Sequence, residues 1–151
     1  MTTKAPPARP PSPAPMTHVA IRTTDLEASI EFYRLYAGLE IVHQREDAGT
    51  RVVWMSHEPK DPSFVIVLLA FPHEKIVEPS PNDHYGFAVA SREEVDRLGE
   101  LARSERRLKW GPQEGGPIVG YFVMVRDPSG NTCEFSHGQP INPKDLPAGS
   151  R

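Results

Sequence analysis

The sequence predicts an α+β fold made of two consecutive β-α-β-β-β modules in one chain. Three observations predict it. An alternating strand followed by a capped helix occurs twice, opening at His18 and again at His84. Displaced by 66 residues the chain nearly overlays itself, His18 meeting His84, Asp25 meeting Ser91, Phe32 meeting Leu98 and Leu35 meeting Leu101. The whole chain of 151 residues is one domain's worth, enough to bury a core without disulfides.

Residues 1–15 hold six of the 17 prolines and read as a polyproline-II or disordered arm. At His18 a strand opens with His18, Ala20 and Arg22 on one face and Val19 and Ile21 on the other. Thr24 and Glu27 have the spacing of a capping box, with Thr24 as N-cap. A stripe of Leu26, Ile30, Tyr33 and Ala37, flanked by Phe32, comes next, and Gly38 stops the helix. Three strands complete the module: Glu40–Gln44, Arg51–Met55 and the apolar run Phe64–Phe71.

A loop rich in Pro, Ser, Asn and Asp separates module one (16–72) from module two (82–138). His84–Val89 alternates with His84, Gly86 and Ala88 on one face. Ser91 and Glu94 form the second capping box, and Val95, Leu98, Leu101 and Ala102 the helical stripe, ending at Lys109–Pro112. A Gly/Pro loop over 111–117 leads to strand Tyr121–Val125, a turn at Asp127-Pro128-Ser129-Gly130, and a last strand Thr132–Phe135. Residues 139–151 read as a tail.

Charge and composition exclude several classes. The net charge is −3, and with the cationic arm and tail set aside the body is three charges more negative still, which disfavours nucleic acid. The longest apolar run, eight residues, is far short of the ~20 that a membrane span needs. The N-terminus has two cations and no apolar segment, so a cytoplasmic location is expected rather than secretion. Cys133 is the one cysteine and cannot form an internal disulfide; beside Glu134 on a strand, it is expected to face the core.

A lone histidine on a strand is usually structural. Here two occupy equivalent places in duplicated units, and pseudo-twofold symmetry would bring both strand starts to one cleft. Glu134 lies between apolar neighbours in the last strand, where a carboxylate is costly unless paired or bound to metal. Two imidazoles and a carboxylate, His18, His84 and Glu134, are a donor set for Fe, Mn, Ni or Zn with positions left for substrate. The competing reading of Glu134 is a buried partner for Arg22 or Arg126.

His18-Val-Ala-Ile-Arg22, the run Asp25–Tyr33, His84-Tyr-Gly-Phe-Ala-Val and the ending Val125–Glu134, with its Asp-Pro-Ser-Gly-Asn-Thr-Cys-Glu, resemble the vicinal oxygen chelate superfamily over residues 16–138. That superfamily includes lactoylglutathione lyases, bleomycin-resistance proteins, fosfomycin-modifying thiol transferases and extradiol dioxygenases. The resemblance implies a curled mixed sheet around a metal cleft with the helices outside, commonly in a homodimer, one divalent transition metal (Fe, Mn, Ni or Zn) per site, and His18, His84 and Glu134 as its ligands. His18 would join His84 and Glu134 within one chain or from a partner chain.

The implied activity is a glyoxalase-like lyase or isomerase. It would act on a small substrate with adjacent oxygens by Lewis-acid stabilisation of an enolate-like state. An Fe(II) extradiol-type dioxygenase or a thiol transferase could use the same ligands. A sequestering protein of the bleomycin-resistance type is the alternative of another class. Lyases of the superfamily supply a second Glu from the last strand of module one, whereas Val67 or Leu68 stands there. The dioxygenases and transferases commonly carry a Tyr before the last strand, where this chain has Met124. Arg22 matches the lyase residue that holds a substrate carboxylate, and the 111–117 loop resembles a lid. Trp54, Trp110, Phe64, Phe87 and Tyr121 are expected mostly in the core with one or two lining the cleft, and Tyr121 is placed with Arg22 as substrate-binding. His137 is the candidate acid–base group, with His43 and His57 behind it.

Overall fold

The computed structural model describes residues 15–72, 80 and 82–148. The expected proline arm therefore lies, except for Pro15, outside the described residues. Module one comprises β1 (His18–Arg22), α1 (Leu26–Ala37), β2 (Glu40–Asp47), β3 (Thr50–Ser56) and β4 (Val65–Ala70). Module two comprises β5 (His84–Ala88), α2 (Arg92–Ser104), β6 (Leu108–Glu114), β7 (Tyr121–Arg126) and β8 (Thr132–His137). The α+β class and the duplicated module are as the sequence predicts.

The strands divide into two four-stranded sheets of identical topology, ordered β1-β4-β3-β2 and β5-β8-β7-β6. In each, the first strand runs parallel to the last, which requires a crossover, and the helix supplies it. The remaining neighbours are antiparallel. Ala48 and Gly49 both adopt positive φ between the closing pair Asp47 and Thr50, the signature of a two-residue type I′ hairpin.

Local differences from the sequence reading have physical causes. The N-cap of α1 is Asp25, whose carboxylate accepts from Ala28 N–H at 3.0 Å. Thr24 instead turns to the second module, its N–H donating to Ser129 Oγ at 3.1 Å. The buried face of α1 is Leu26, Ser29, Phe32, Tyr33 and Tyr36, with Ile30 and Ala37 only part-buried, because this helix packs against module two as well as its own sheet.

The second helix ends at Ser104, earlier than the apolar pattern suggests. Arg106 takes a left-handed φ of 59°, Arg106 N–H bonds Arg103 O and Arg107 N–H bonds Ala102 O, a Schellman ending with arginine in glycine's usual place. The chain then enters β6. The expected 111–117 loop is half absorbed into this strand, where Gly111 and Pro112 lie within irregular pairing to β7. An edge strand tolerates them because proline's missing N–H need not be paired there, and a lid hinged at 111 is thereby corrected.

One core joins the modules, running from Ile21, Phe32, Tyr33, Met55 and Leu68 to Leu98, Val123, Cys133 and Phe135. Each such side chain contributes about 1.5–3 kcal/mol by leaving water. Tyr36 stacks on Phe32 and Phe87 on Phe135. Tyr33 OH donates to Asp127 Oδ2 at 2.9 Å, while Asp127 also accepts from the backbone of Ser129 and Asn131 and from the Asn131 amide. Burial, with Cys133 and Asp127 alongside, pushes the Tyr33 phenol far above its usual range. Cys133 is fully buried in this core, as expected, and burial raises its thiol as well. No helix among the described residues is long and apolar enough to cross a membrane.

Candidate metal centre

Strand alternation gives each sheet a core face and a reverse face. On β5 and β8, Tyr85, Phe87, Cys133 and Phe135 enter the core, which sends His84, Gly86, Thr132, Glu134 and Ser136 to the reverse face. On β1 and β4, Ile21, Ile66 and Leu68 enter the core, and His18, Ala20, Arg22, Val65 and Val67 share the reverse face. The helices thus lie on the faces away from the histidines.

His84 and Glu134 are brought together. The parallel register sets Glu134 beside Gly86, two residues beyond His84, and His84 Nε2 lies 3.8 Å from Glu134 Oε2. No atom lies within 4 Å of where a Cβ on Gly86 would stand, so the space beside the pair is open. His84 Nδ1 is 2.9 Å from Asn82 O. A carbonyl can only accept, so Nδ1 donates there, and Nε2 is the ring nitrogen turned toward Glu134. This is how a backbone carbonyl fixes the tautomer of a metal-ligating histidine.

Glu134 is 4% exposed, and among the described residues its one charged partner is His84. The alternative pairing with Arg22 or Arg126 is not formed. The donor atoms are too far apart to hydrogen-bond to each other, yet within reach of two bonds of about 2.0–2.2 Å to one ion. The pair therefore fits a divalent transition metal.

His18 occupies the equivalent place in module one, its Nδ1 3.0 Å from Thr17 Oγ1. It lines a cavity of about 470 Å³ on its own sheet. Among the described residues no three His, Cys, Asp or Glu side chains stand close enough to hold a metal, so His18 does not meet the His84–Glu134 pair within the chain. Both sheets turn their other faces to the shared core, which points the two histidine faces away from each other. β1 and β5, the strands that carry the histidines, are both sheet edges.

The register also settles which residue stands where module two has its glutamate. Gly86 pairs with Glu134, and in module one Ala20 pairs with Val67. Val67 is 7% exposed among Val52 and Val65, so the first half of the site carries no carboxylate.

Arg22 shares the His18 face, at the end of β1 opposite Leu69, with its guanidinium 5.8 Å from the Phe71 ring centre. Tyr121 lies apart from the His84–Glu134 pair. It shares the face of Val123 and Val125, donates to Asp96 Oδ1 at 2.6 Å and lies under the Arg92 guanidinium at 4.0 Å. It therefore braces α2, on the face of its sheet opposite Glu134, and the Asp96 bond holds its phenol above the ordinary value. His137 lies apart as well. Three residues from Glu134, it falls on the opposite face of β8, and its Nδ1 donates to Val89 O at 3.1 Å. His43 packs edge-on against Trp54, and His57 is exposed beyond β3. Trp54 is the aromatic that lines the His18 cavity, and Arg45 beside it escapes the sequence reading; Trp54's two-residue spacing from Val52 on β3 carries the signal.

The family model for the Glyoxalase/Bleomycin resistance protein/Dioxygenase superfamily matches residues 16–135. The uncharacterized protein PA2024 of Pseudomonas aeruginosa is 36% identical over 128 residues, covering 85% of this chain and 91% of that protein. Metapyrocatechase 2 of Cupriavidus necator is 27% identical over 82% of this chain, which spans only 36% of that enzyme's length. Among solved structures, a point mutant of the fosfomycin resistance protein FosX from Listeria monocytogenes, complexed with Mn(II) and 1S,2S-dihydroxypropylphosphonic acid, superposes with a TM-score of 0.66. It shares 16% identity, over 86% of this chain and 96% of that one.

Proposed function

The chain belongs to the glyoxalase/bleomycin resistance protein/dioxygenase superfamily, and from that membership and its site we propose a metal-dependent enzyme acting on a small substrate with two adjacent oxygens. The observation that carries this is the buried Glu134 carboxylate facing His84 Nε2 at 3.8 Å, with His84 Nδ1 tied to Asn82 O. One divalent ion (Fe, Mn, Ni or Zn) would be held by His84 and Glu134 of one chain and by His18 of a second copy, in a homodimer. The histidine edges β1 and β5 support this arrangement, because a twofold axis pairing them makes two equivalent sites.

When bound, such an ion supplies Lewis-acid stabilisation of charge developing on the substrate oxygens. Arg22, on the His18 face, holds an anionic group of the substrate. The apolar face around Val67 keeps water from the substrate's other end, and Gly86 leaves room beside the pair.

Val67 favours a second reading within this class. A proton shuttle across a hydroxy-ketone needs a base within hydrogen-bond reach, and module one offers none at this position. Two histidines and one carboxylate are the facial set of non-haem Fe(II) oxygenases, so ring-opening oxygenation is the alternative to isomerisation.

Elemental analysis of untagged protein, beside His84→Ala, tests the proposal. About one equivalent of a single transition metal per chain, lost in the variant, is expected. Iron would select oxygenation, and nickel or zinc isomerisation. No metal in either protein, even after incubation with each ion, would overturn the enzyme reading and leave a sequestering protein.

A further inference from the structure

We propose that the cavity beside His18 is a subsite for a planar aromatic ring bearing an anionic group, with the Trp54 indole as its stacking wall and Arg45 as its anion contact. The inference deepens the proposed function by naming a substrate class, and it rests on that reading in taking His18, at the other side of the cavity, as a metal ligand.

The cavity, about 470 Å³, falls in the range of small-molecule sites. Its surface changes character across the sheet. β1 gives His18 and Ala20, β4 gives Val65 and Val67, β3 gives Trp54 and β2 gives Arg45. Trp54 pairs with Val67, so with strands about 4.8 Å apart a valine strip one strand wide separates the indole from the histidine edge. A molecule lying across that strip meets apolar groups beneath it and an aromatic wall at one side.

Trp54 is 36% exposed although it sits beside buried valines. It is held rather than loose. The His43 ring packs against it at 5.1 Å between centres and 63° between planes, and the Arg45 guanidinium carbon lies 5.7 Å from the indole centre. Asp47 takes Arg45 Nε at 2.6 Å, which fixes the guanidinium and leaves its two terminal nitrogens for a carboxylate or similar anion. A ring on the indole places its anionic substituent at that fork. An extended peptide conjugate fits worse, because the Val65–Val67 strip offers its amides no hydrogen-bond partners and, among the described residues, Thr17 and Ser63 are the only hydroxyls that line the cavity.

The test is calorimetric titration of the full chain after chelator treatment, using benzoate, cyclohexanecarboxylate and S-methylglutathione, on the parent protein, Trp54→Leu, Trp54→Phe and Arg45→Gln. Benzoate should bind about fivefold to tenfold tighter than the saturated acid, the margin expected of ring stacking. Trp54→Leu should erase that preference, Trp54→Phe should retain it, and Arg45→Gln should weaken both acids by about tenfold while preserving their ratio. Equal affinity for the two acids, no benzoate binding, or a preference for S-methylglutathione would overturn the proposal. Because no ion takes part, failure here leaves metal stoichiometry untouched, and failure of the metal site leaves this titration intact.

Discussion

The two modules share a topology and a register, yet their histidine-bearing faces are opposite in character. Module two sets a buried carboxylate beside its histidine, with threonine and serine along the same strand. Module one puts Val67 in the carboxylate's place, among Val52 and Val65, and adds Trp54 and Arg45 at the far side. The difference shows how a duplicated unit divides labour. Matching topologies position two histidines alike, and a change at one register position makes one half a histidine–glutamate pair and the other an apolar wall.

The junction between modules gives the strongest way to break this comparison. Asp127→Ala removes the acceptor of the Tyr33 hydroxyl, the Asn131 amide and two backbone N–H groups. Leaving buried donors unpaired should cost about 3–5 kcal/mol, read as a lower urea midpoint for the whole domain. A loss below about 1 kcal/mol would mean that the modules are held by apolar packing alone.

Val67→Glu sharpens the comparison by making module one resemble module two. A carboxylate in that apolar face should destabilise the metal-free protein by about 2–3 kcal/mol. Part of that loss should return on adding the metal that the parent protein binds, measured by thermal melting with and without the ion. Equal destabilisation with and without metal would separate Val67 from the site.

The smallest effect appears only at high pH. Tyr33 and Cys133 have their ordinary values of 10.0 and 9.0 raised by burial. A raised group keeps its proton in the folded state while the unfolded chain loses it. Stability should therefore be level below about pH 9 and fall as pH climbs past the ordinary values. Phenolate absorbance at 295 nm should emerge together with the loss of native circular dichroism. Early phenolate from all four tyrosines in folded protein would contradict the burial of Tyr33.

Much of the fold was legible because alternation and capping are local. The strands at His18 and His84, both helices and the core position of Cys133 follow from period and neighbours. β6 was hidden by Gly111 and Pro112, whose intrinsic preference for turns is overridden by pairing at a sheet edge. The N-cap moved from Thr24 to Asp25 because Thr24 bonds Ser129, 105 residues away, a contact that no local pattern contains. Parity did hold information about the site. Tyr121 shares the parity of Val123 and Val125, and His137 is an odd number of residues from Glu134, so each is on the face opposite that carboxylate. The separation of His18 from His84 and Glu134 was beyond pattern reading, since it follows from both helix-covered faces closing on one core.

If two chains complete each metal site, a hybrid dimer should restore what neither variant holds alone. Chains carrying His18→Ala and Glu134→Ala, each with a different non-histidine tag, are co-expressed, and the mixed dimer is isolated through both tags. No metal is expected in either parent homodimer and one equivalent per hybrid dimer, because the intact His84–Glu134 pair of the first chain meets the intact His18 of the second. A hybrid without metal, or a His18→Ala homodimer that keeps it, would contradict that arrangement.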